Sequence, residues 1–415
     1  MRVRQVVVLL GLAAALGSSL AAPLEEHWVS AWGSAQMVPD AGNALPAAAW
    51  RDASLRQFVR LSLPARQLRV RVSNLFGTAP LQIDGATVAL SAQAGSPDLK
   101  PGSAKALRFN GADKVAVPPG AEYLSDALDF EAAAGATLAI SVHLIADPGR
   151  QTGHPGSRSK SFVLPGNQIA AETWGEPQAF ERWFQLADIE VRAPSAVTAL
   201  VAVGDSITDG YGVKADAYTR WTDFLFQRLQ REKQPPMAIV NAGIGGGRLL
   251  REGLGPAVVA RFERDVLGRS GVSHAIVLAG VNDFGVQHRN GEDSEAARAQ
   301  LLLDMQTAWR VLVERAHAQG ICVIGGTITP FVGNDYYKAG TANEADRQAM
   351  NHWIRTSGVF DAVADFDAAL RDPARPDHLA AFADIGDGLH LSSGGQKGVA
   401  EAVPLSTLRR CSWKR

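Results

Sequence analysis

The apolar residues change their period at Pro194, and no single layer architecture accommodates both patterns. Upstream, at 55–63, 68–75, 86–90, 136–145 and 184–191, short runs carry apolar residues at alternate positions. Leu68-Arg69-Val70-Arg71-Val72-Ser73 is the clearest, with its polar residues on one face of a strand. Turn formers separate the runs, as in Gly77-Thr78-Ala79-Pro80, Pro118-Pro119-Gly120 and Asp147-Pro148-Gly149. No long amphipathic helix interrupts them, so this half predicts an all-β sandwich or jelly-roll-like domain. The Gly/Pro-rich stretch 147–167 is expected to be its long loop.

Downstream, residues 197–203 are almost continuously apolar, as a strand covered on both faces must be. Trp221, Phe224, Leu225 and Leu229 then recur at helical spacing within 218–231. Strands are expected at 238–240, 274–279, 321–325 and 359–366. Helices are expected at 295–319, stopped by Gly320, at 342–356, with Asn343 as a candidate cap, and at 395–409. Strand and helix alternate through short connections, which predicts a parallel sheet with helices on both faces.

The chain has 415 residues. Met1-Arg2-Val3-Arg4, an apolar 6–16 and the small residues around Ser19-Leu20-Ala21 read as a signal peptide spanning 1–22. Its apolar stretch falls short of the ~18 residues of a membrane anchor. The expectation is therefore an exported protein, secreted or periplasmic, with a β-sandwich domain at 23–194, an α/β domain at 195–415 and no membrane span after processing. Lys and Arg number 41 against 42 Asp and Glu, dispersed along the chain, which argues against nucleic acid as a partner. Of the two cysteines, Cys322 lies in an apolar strand and is expected as a buried free thiol, although export permits a disulfide with Cys411. Neither cysteine has metal-ligand spacing with histidine, and no cofactor is expected. Oligomeric state is left open.

Four groups suited to acyl transfer follow strands of the second half. Ser206, in Gly204-Asp205-Ser206, sits where ligand crevices form in open α/β sheets, although a serine there can equally cap the next helix. His390 is the best-placed base, with Asp387 three residues earlier to hold its tautomer. Glycines at 243 and 245–247 let backbone N–H groups approach a substrate, and they lack both P-loop and dinucleotide spacing. Asn282, in Gly280-Val281-Asn282-Asp283, carries an amide donor or else forms an Asx turn. The Ser206 surroundings are not a Gly-x-Ser-x-Gly elbow, because Thr208 stands two residues on.

These blocks, in this order, resemble the SGNH (GDSL-type) hydrolases over about 197–405. The resemblance implies a flavodoxin-like three-layer α/β/α domain. It implies Ser206 as nucleophile, His390 as base, Asp387 as its orienter, and an oxyanion hole from the Ser206 and Gly246 N–H groups and the Asn282 side chain. The leading part, with Trp28-Val29-Ser30-Ala31-Trp32 and Leu75-Phe76-Gly77-Thr78, is similar to the front domain of a two-domain bacterial subgroup with xylan-esterase-like members. Two departures bear on substrate choice: Gly247 stands where the family often has Asn, and Leu391-Ser392 follows the histidine in place of a loop former.

Asp209, Arg248, Phe284 and Phe331 adjoin strand ends and are candidates to line the pocket. The alternative for Asp209 is to fix the nucleophile loop, and for the two phenylalanines to pack. His154 is a candidate to reach the cleft from the β domain, against a reading as an exposed loop histidine. Trp28, Trp174 and Trp183 could stack on sugars, though tryptophans in a β domain are usually core. The function expected is an exported serine esterase acting through an acyl-enzyme on short-chain, acetyl-type esters of polysaccharide. A general short-chain arylesterase or lipase is the alternative, and a non-catalytic carbohydrate-binding protein a more distant one.

Overall fold

A computed structural model describes residues 25–409. The signal-peptide reading of 1–22 falls outside them. Among the described residues, no helix is long and apolar enough to cross a membrane.

Up to Pro194 every strand pairing is antiparallel. One sheet runs Glu26–Gly33, Leu186–Pro194, Ala65–Ser73, Glu122–Leu124, with Leu128–Ala132 also on Ala65–Ser73. The other is built around Ala53–Arg60, Thr137–Leu144 and Leu81–Leu90. Leu68, Val70 and Val72 of the first sheet meet Leu55, Val88 and Ile140 of the second in one buried core, which is what their alternation requires. The segment 147–167 is not one long loop. Gly153–His154 pairs with Trp183–Phe184, and Ser161–Pro165 adds to the edge of Ala53–Arg60. Its short strands are dominated by turn residues, so periodicity does not reveal them.

From Thr198 the sheet is parallel. Its strands are β1 (Thr198–Gly204), β2 (Met237–Gly243), β3 (Val272–Leu278), β4 (Cys322–Gly326) and β5 (Ala362–Ala364), in the spatial order β2-β1-β3-β4-β5. Central β1 is buried on both faces, as its apolar run demands. Helices Trp221–Arg231, Phe366–Leu370 and Ser393–Ala402 pack on one another; Val281–Arg289, Glu295–Ala318 and Thr341–Thr356 form a second group. β5 is shorter than the expected 359–366, because Asp365 caps a helix through Ala368 N–H. Asn343 is not an N-cap: Gly340 holds that place, and the Asn343 Oδ1 accepts its N–H at 3.1 Å.

The two halves share a packed boundary. Ala199 and Ala238 belong to the β-domain core, and Ser62 Oγ accepts the Ile239 N–H at 2.9 Å. Cys322 is disulfide-bonded and not a free thiol; Cys411 lies outside the described residues. The turn Leu405–Arg409 lies on this side of the sheet, where His274, the register partner of Cys322, meets the Thr407 carbonyl at 3.2 Å.

Candidate active site

The carboxyl end of β1 is where sequence and packing together demand a turn. Gly204 accepts a hydrogen bond at its carbonyl from Ile244 N–H, and another from Arg261 Nη2 at 2.8 Å. Arg261 is buried, also donates to the Ala242 carbonyl, and pairs with Asp265 at 2.8 Å. One buried guanidinium thus ties together the ends of β1 and β2. The chain then enters α1 (Ser206–Asp209), capped by Asp205, whose Oδ1 accepts the Ile207 N–H at 3.0 Å. That single turn presents Ser206 at the mouth of a cleft of about 1000 Å³.

Ser206 Oγ lies 2.9 Å from His390 Nε2, and His390 Nδ1 lies 2.6 Å from Asp387 Oδ2. An ionised carboxylate only accepts, so Nδ1 carries the proton and the Nε2 lone pair faces the serine hydroxyl. Although burial acts upward on Asp387, hydrogen bonds from the His390 backbone and side chain and from Leu389 N–H hold its carboxyl below the usual range. The loop is itself fixed: Asp384 Oδ1 accepts the N–H groups of Gly386, Asp387 and Gly388, and Asn334 Nδ2 donates to the Asp387 carbonyl at 2.8 Å.

Gly246 and Asn282 line the same cleft. Gly246 has φ +67°, a backbone conformation that favours glycine. Among the described residues, no protein acceptor meets the Gly246 N–H. Asn282, in the first turn of helix Val281–Arg289, donates from Nδ2 to the Gly247 carbonyl at 2.8 Å, leaving its second amide hydrogen. The Gly247 carbonyl only accepts, which fixes which end of the amide is the donor, and Oδ1 accepts the Tyr337 hydroxyl at 2.6 Å. Burial pushes the Tyr337 hydroxyl up to about 12, so it remains a donor through neutral pH.

Of the proposed pocket residues, Arg248, Asp209 and His154 border the cleft. Phe284 and Phe331 do not: at 1% and 0% exposure they belong to the α/β core, because their backbone positions turn the rings under the sheet ends. His154 is no exposed loop residue. It is 3% exposed and bonded to Asp209 Oδ1 at 2.9 Å. Trp174 and Trp183 are buried, and Trp28 lies beneath Arg69 and Arg192, so none of the three is a sugar platform in the cleft. The aromatics at the cleft are ones the sequence did not single out. Tyr211 lies against the His390 ring at 4.1 Å between centroids, with the Arg158 guanidinium carbon 5.6 Å from its ring centroid, and Tyr336 stands exposed beneath Arg289. Tyr211 stands five residues past Ser206, and that proximity is the signal that could have found it. Among the described residues, no cluster of three or more His, Cys, Asp or Glu forms a metal-binding group.

Residues 202–397 match the GDSL-like lipase/acylhydrolase family. A comparison with curated proteins returns no match. Solved structures similar to this chain include a GDSL-like lipase from Bacteroides thetaiotaomicron VPI-5482, at 16% identity over 51% of this chain and 88% of that one, with a TM-score of 0.37. The acetyl xylan esterase AlAXEase is similar at 16% identity over 50% and 98%, TM-score 0.37. A variant of Axe2, an acetyl xylan esterase from Geobacillus stearothermophilus, is similar at 19% identity over 49% and 92%, TM-score 0.36. Each likeness spans about half of the chain, and nothing about substrate follows from it. The Ser206 turn, the glycine loop, Asn282 and the histidine loop all fall within the span 202–397 that matches the GDSL-like lipase/acylhydrolase family, and that match supports a hydrolase.

Proposed function

We propose that the chain is an exported serine esterase that removes short acyl groups, acetyl above all, from polysaccharide. The observation that carries the chemistry is the continuous hydrogen-bonded line from Ser206 Oγ through His390 to Asp387. Ser206 Oγ attacks the ester carbonyl carbon while Nε2 takes its proton, and the carbonyl electron pair moves onto oxygen. That oxyanion is met by the Ser206 and Gly246 N–H groups and the Asn282 amide. As the bond to the alcohol oxygen breaks, His390 returns the proton to the leaving alcohol. Water then attacks the acyl-enzyme, gives its proton to His390, and the acid departs as Ser206 regains its own.

The strand order, with β1 and β2 exchanged at the edge and the remainder in sequence, supports a flavodoxin-like sheet, and the two groups of helices suit a three-layer arrangement. For the substrate, the support is an open cleft with charged and amide side chains and two exposed tyrosine faces, Tyr211 at 48% and Tyr336 at 61%. Such faces stack on the apolar sides of sugar rings. The same tyrosines would hold an aryl leaving group, which keeps an arylesterase as the second reading.

Ser206→Ala should abolish ester cleavage and labelling by a serine-directed phosphonate with the melting temperature retained; undiminished cleavage would end the proposal. Acetate release from acetylated xylan, set beside aryl esters of increasing acyl length, separates the two substrates. Preference for long chains would defeat the acetyl reading.

A further inference from the structure

The β domain reaches the Ser206 turn through a buried histidine, and Arg158 Nη2 also lies 4.0 Å from Asp209 Oδ2. His154 belongs to the two-residue strand Gly153–His154, held against Trp183–Phe184, and its ring stacks on Trp183 at 5.7 Å between centroids. Nδ1 meets the Ala35 carbonyl at 2.8 Å, and Nε2 meets Asp209 Oδ1 at 2.9 Å. Asp209 is the last residue of the turn that begins with Ser206, and it is 3% exposed. The turn is gripped at the same residue from a second direction: Arg220 Nε donates to the Asp209 carbonyl at 2.8 Å, and its Nη2 donates to the carbonyls of Gly156 and Ser157. A Cβ on Gly156 would fall 1.8 Å from Asp209 Oδ2, so the β-domain segment packs directly onto that carboxylate.

We infer that His154 is a positioning residue for Ser206, donating from Nε2 to Asp209 and so fixing the nucleophile turn from the neighbouring domain. The β domain is then part of the catalytic unit and not a detachable binding module. The inference rests on the reading of Ser206 as nucleophile. The two ring nitrogens of His154 face two different oxygens, and the two contacts can be removed separately. A glutamine amide nitrogen occupies the place of Nε2, and an asparagine amide nitrogen that of Nδ1.

The test uses the full chain, with H154N and H154Q. The measurements are kcat, KM, the second-order rate of Ser206 phosphonylation and the melting temperature. H154N keeps the donor to Ala35 and loses the one to Asp209. Its kcat and phosphonylation rate should each fall about 10- to 100-fold with KM changed less than about 3-fold, the size expected of a displaced reacting group. H154Q should recover most of that loss. Full rates in H154N, or equal losses in both variants that track their melting temperatures, would overturn the inference. Should H154N fail to fold, Asp209→Ala removes the same bond from the other side and is read by the same standard. Phosphonate labelling of the unaltered protein, lost on Ser206→Ala, is run alongside; its failure would refute the nucleophile assignment itself and is distinguishable from either outcome at His154.

Discussion

Asn282 can stabilise an oxyanion only while its nitrogen, and not its oxygen, faces the cleft, and the Gly247 carbonyl and Tyr337 together hold it so. The tyrosine hydroxyl has one hydrogen to give and directs it to Oδ1 at 2.6 Å. Tyr337→Phe leaves that oxygen buried without a donor and the amide held only through the Gly247 carbonyl. We expect kcat to drop about 10-fold, short of the ~10²–10³ of Asn282→Ala, which deletes the donor outright. Steady-state kinetics on an acetyl ester decides; an unimpaired Tyr337→Phe would remove the orienting role. Asn282 was legible from its place after a strand, because a polar residue at a strand end is a local pattern. Tyr337 was not, because its partner stands 55 residues away and a Tyr-Tyr pair in a loop has no periodicity. Phe284 and Phe331 failed in the opposite direction. They stand at the right ends of the right strands, yet side-chain direction, which sequence spacing does not give, turns them into the core.

Among the elements, the turn after β1 carries the most unusual electrostatics. Complete burial pushes the Asp205 carboxyl up to about 7, with neighbouring Asp283 acting in the same direction and the Ile207 N–H against it; burial likewise lifts Asp283 to about 6. The native state then binds these protons more tightly than the unfolded chain, whose carboxyls titrate near 4. Their contribution to stability is fully present below pH ~4 and is lost as pH rises through about 6 to 7. Melting temperatures recorded from pH 4 to 8 should decline across that window, and Asp205→Asn, which keeps the cap oxygen, should flatten the decline. An identical profile for both proteins would refute the assignment. The departure at Gly247 also belongs here. A Cβ at 247 would meet the Ile244 carbonyl at 2.9 Å, so this loop, as folded, is built for glycine. The turn, the glycine loop and the histidine loop were all readable as motifs because each is a contiguous segment; the first two directly follow strands, whereas the histidine loop comes after the helix Phe366–Leu370 and not directly after the last strand, Ala362–Ala364. The strands within 147–167 were not, since two- to five-residue pairings are fixed by their partners and not by their own residues.

At the scale of the molecule, the boundary between the halves is held by charge as well as by packing. Arg269 Nη1 meets Asp188 Oδ2 at 2.8 Å, both nearly buried, while Ser30 Oγ donates to the same carboxylate at 2.6 Å and Arg269 Nη2 to the Ser34 carbonyl at 3.0 Å. Arg269→Met strands the aspartate and should cost about 3–5 kcal/mol in chemical denaturation; a change under about 1 kcal/mol would show the pair to be dispensable. The segment 195–415 expressed alone exposes Ala199, Ala238 and the Asp209 carboxylate, and should label with phosphonate far more slowly than the full chain. Labelling at the full-chain rate would make the β domain catalytically irrelevant. What the sequence determined by itself was whatever is local or periodic. It carried two successive architectures, a parallel sheet with loops at its strand ends, and a serine, a histidine and an aspartate on those loops, because backbone period and motif spacing are properties of neighbouring residues. What only the tertiary structure decided was which side chains meet across long separations: His154 with Asp209, Tyr337 with Asn282, Tyr211 with His390 and Arg269 with Asp188. Those meetings depend on how two independently patterned halves dock and on where each side chain points once the core is filled, and neither quantity is written in any single stretch of the chain.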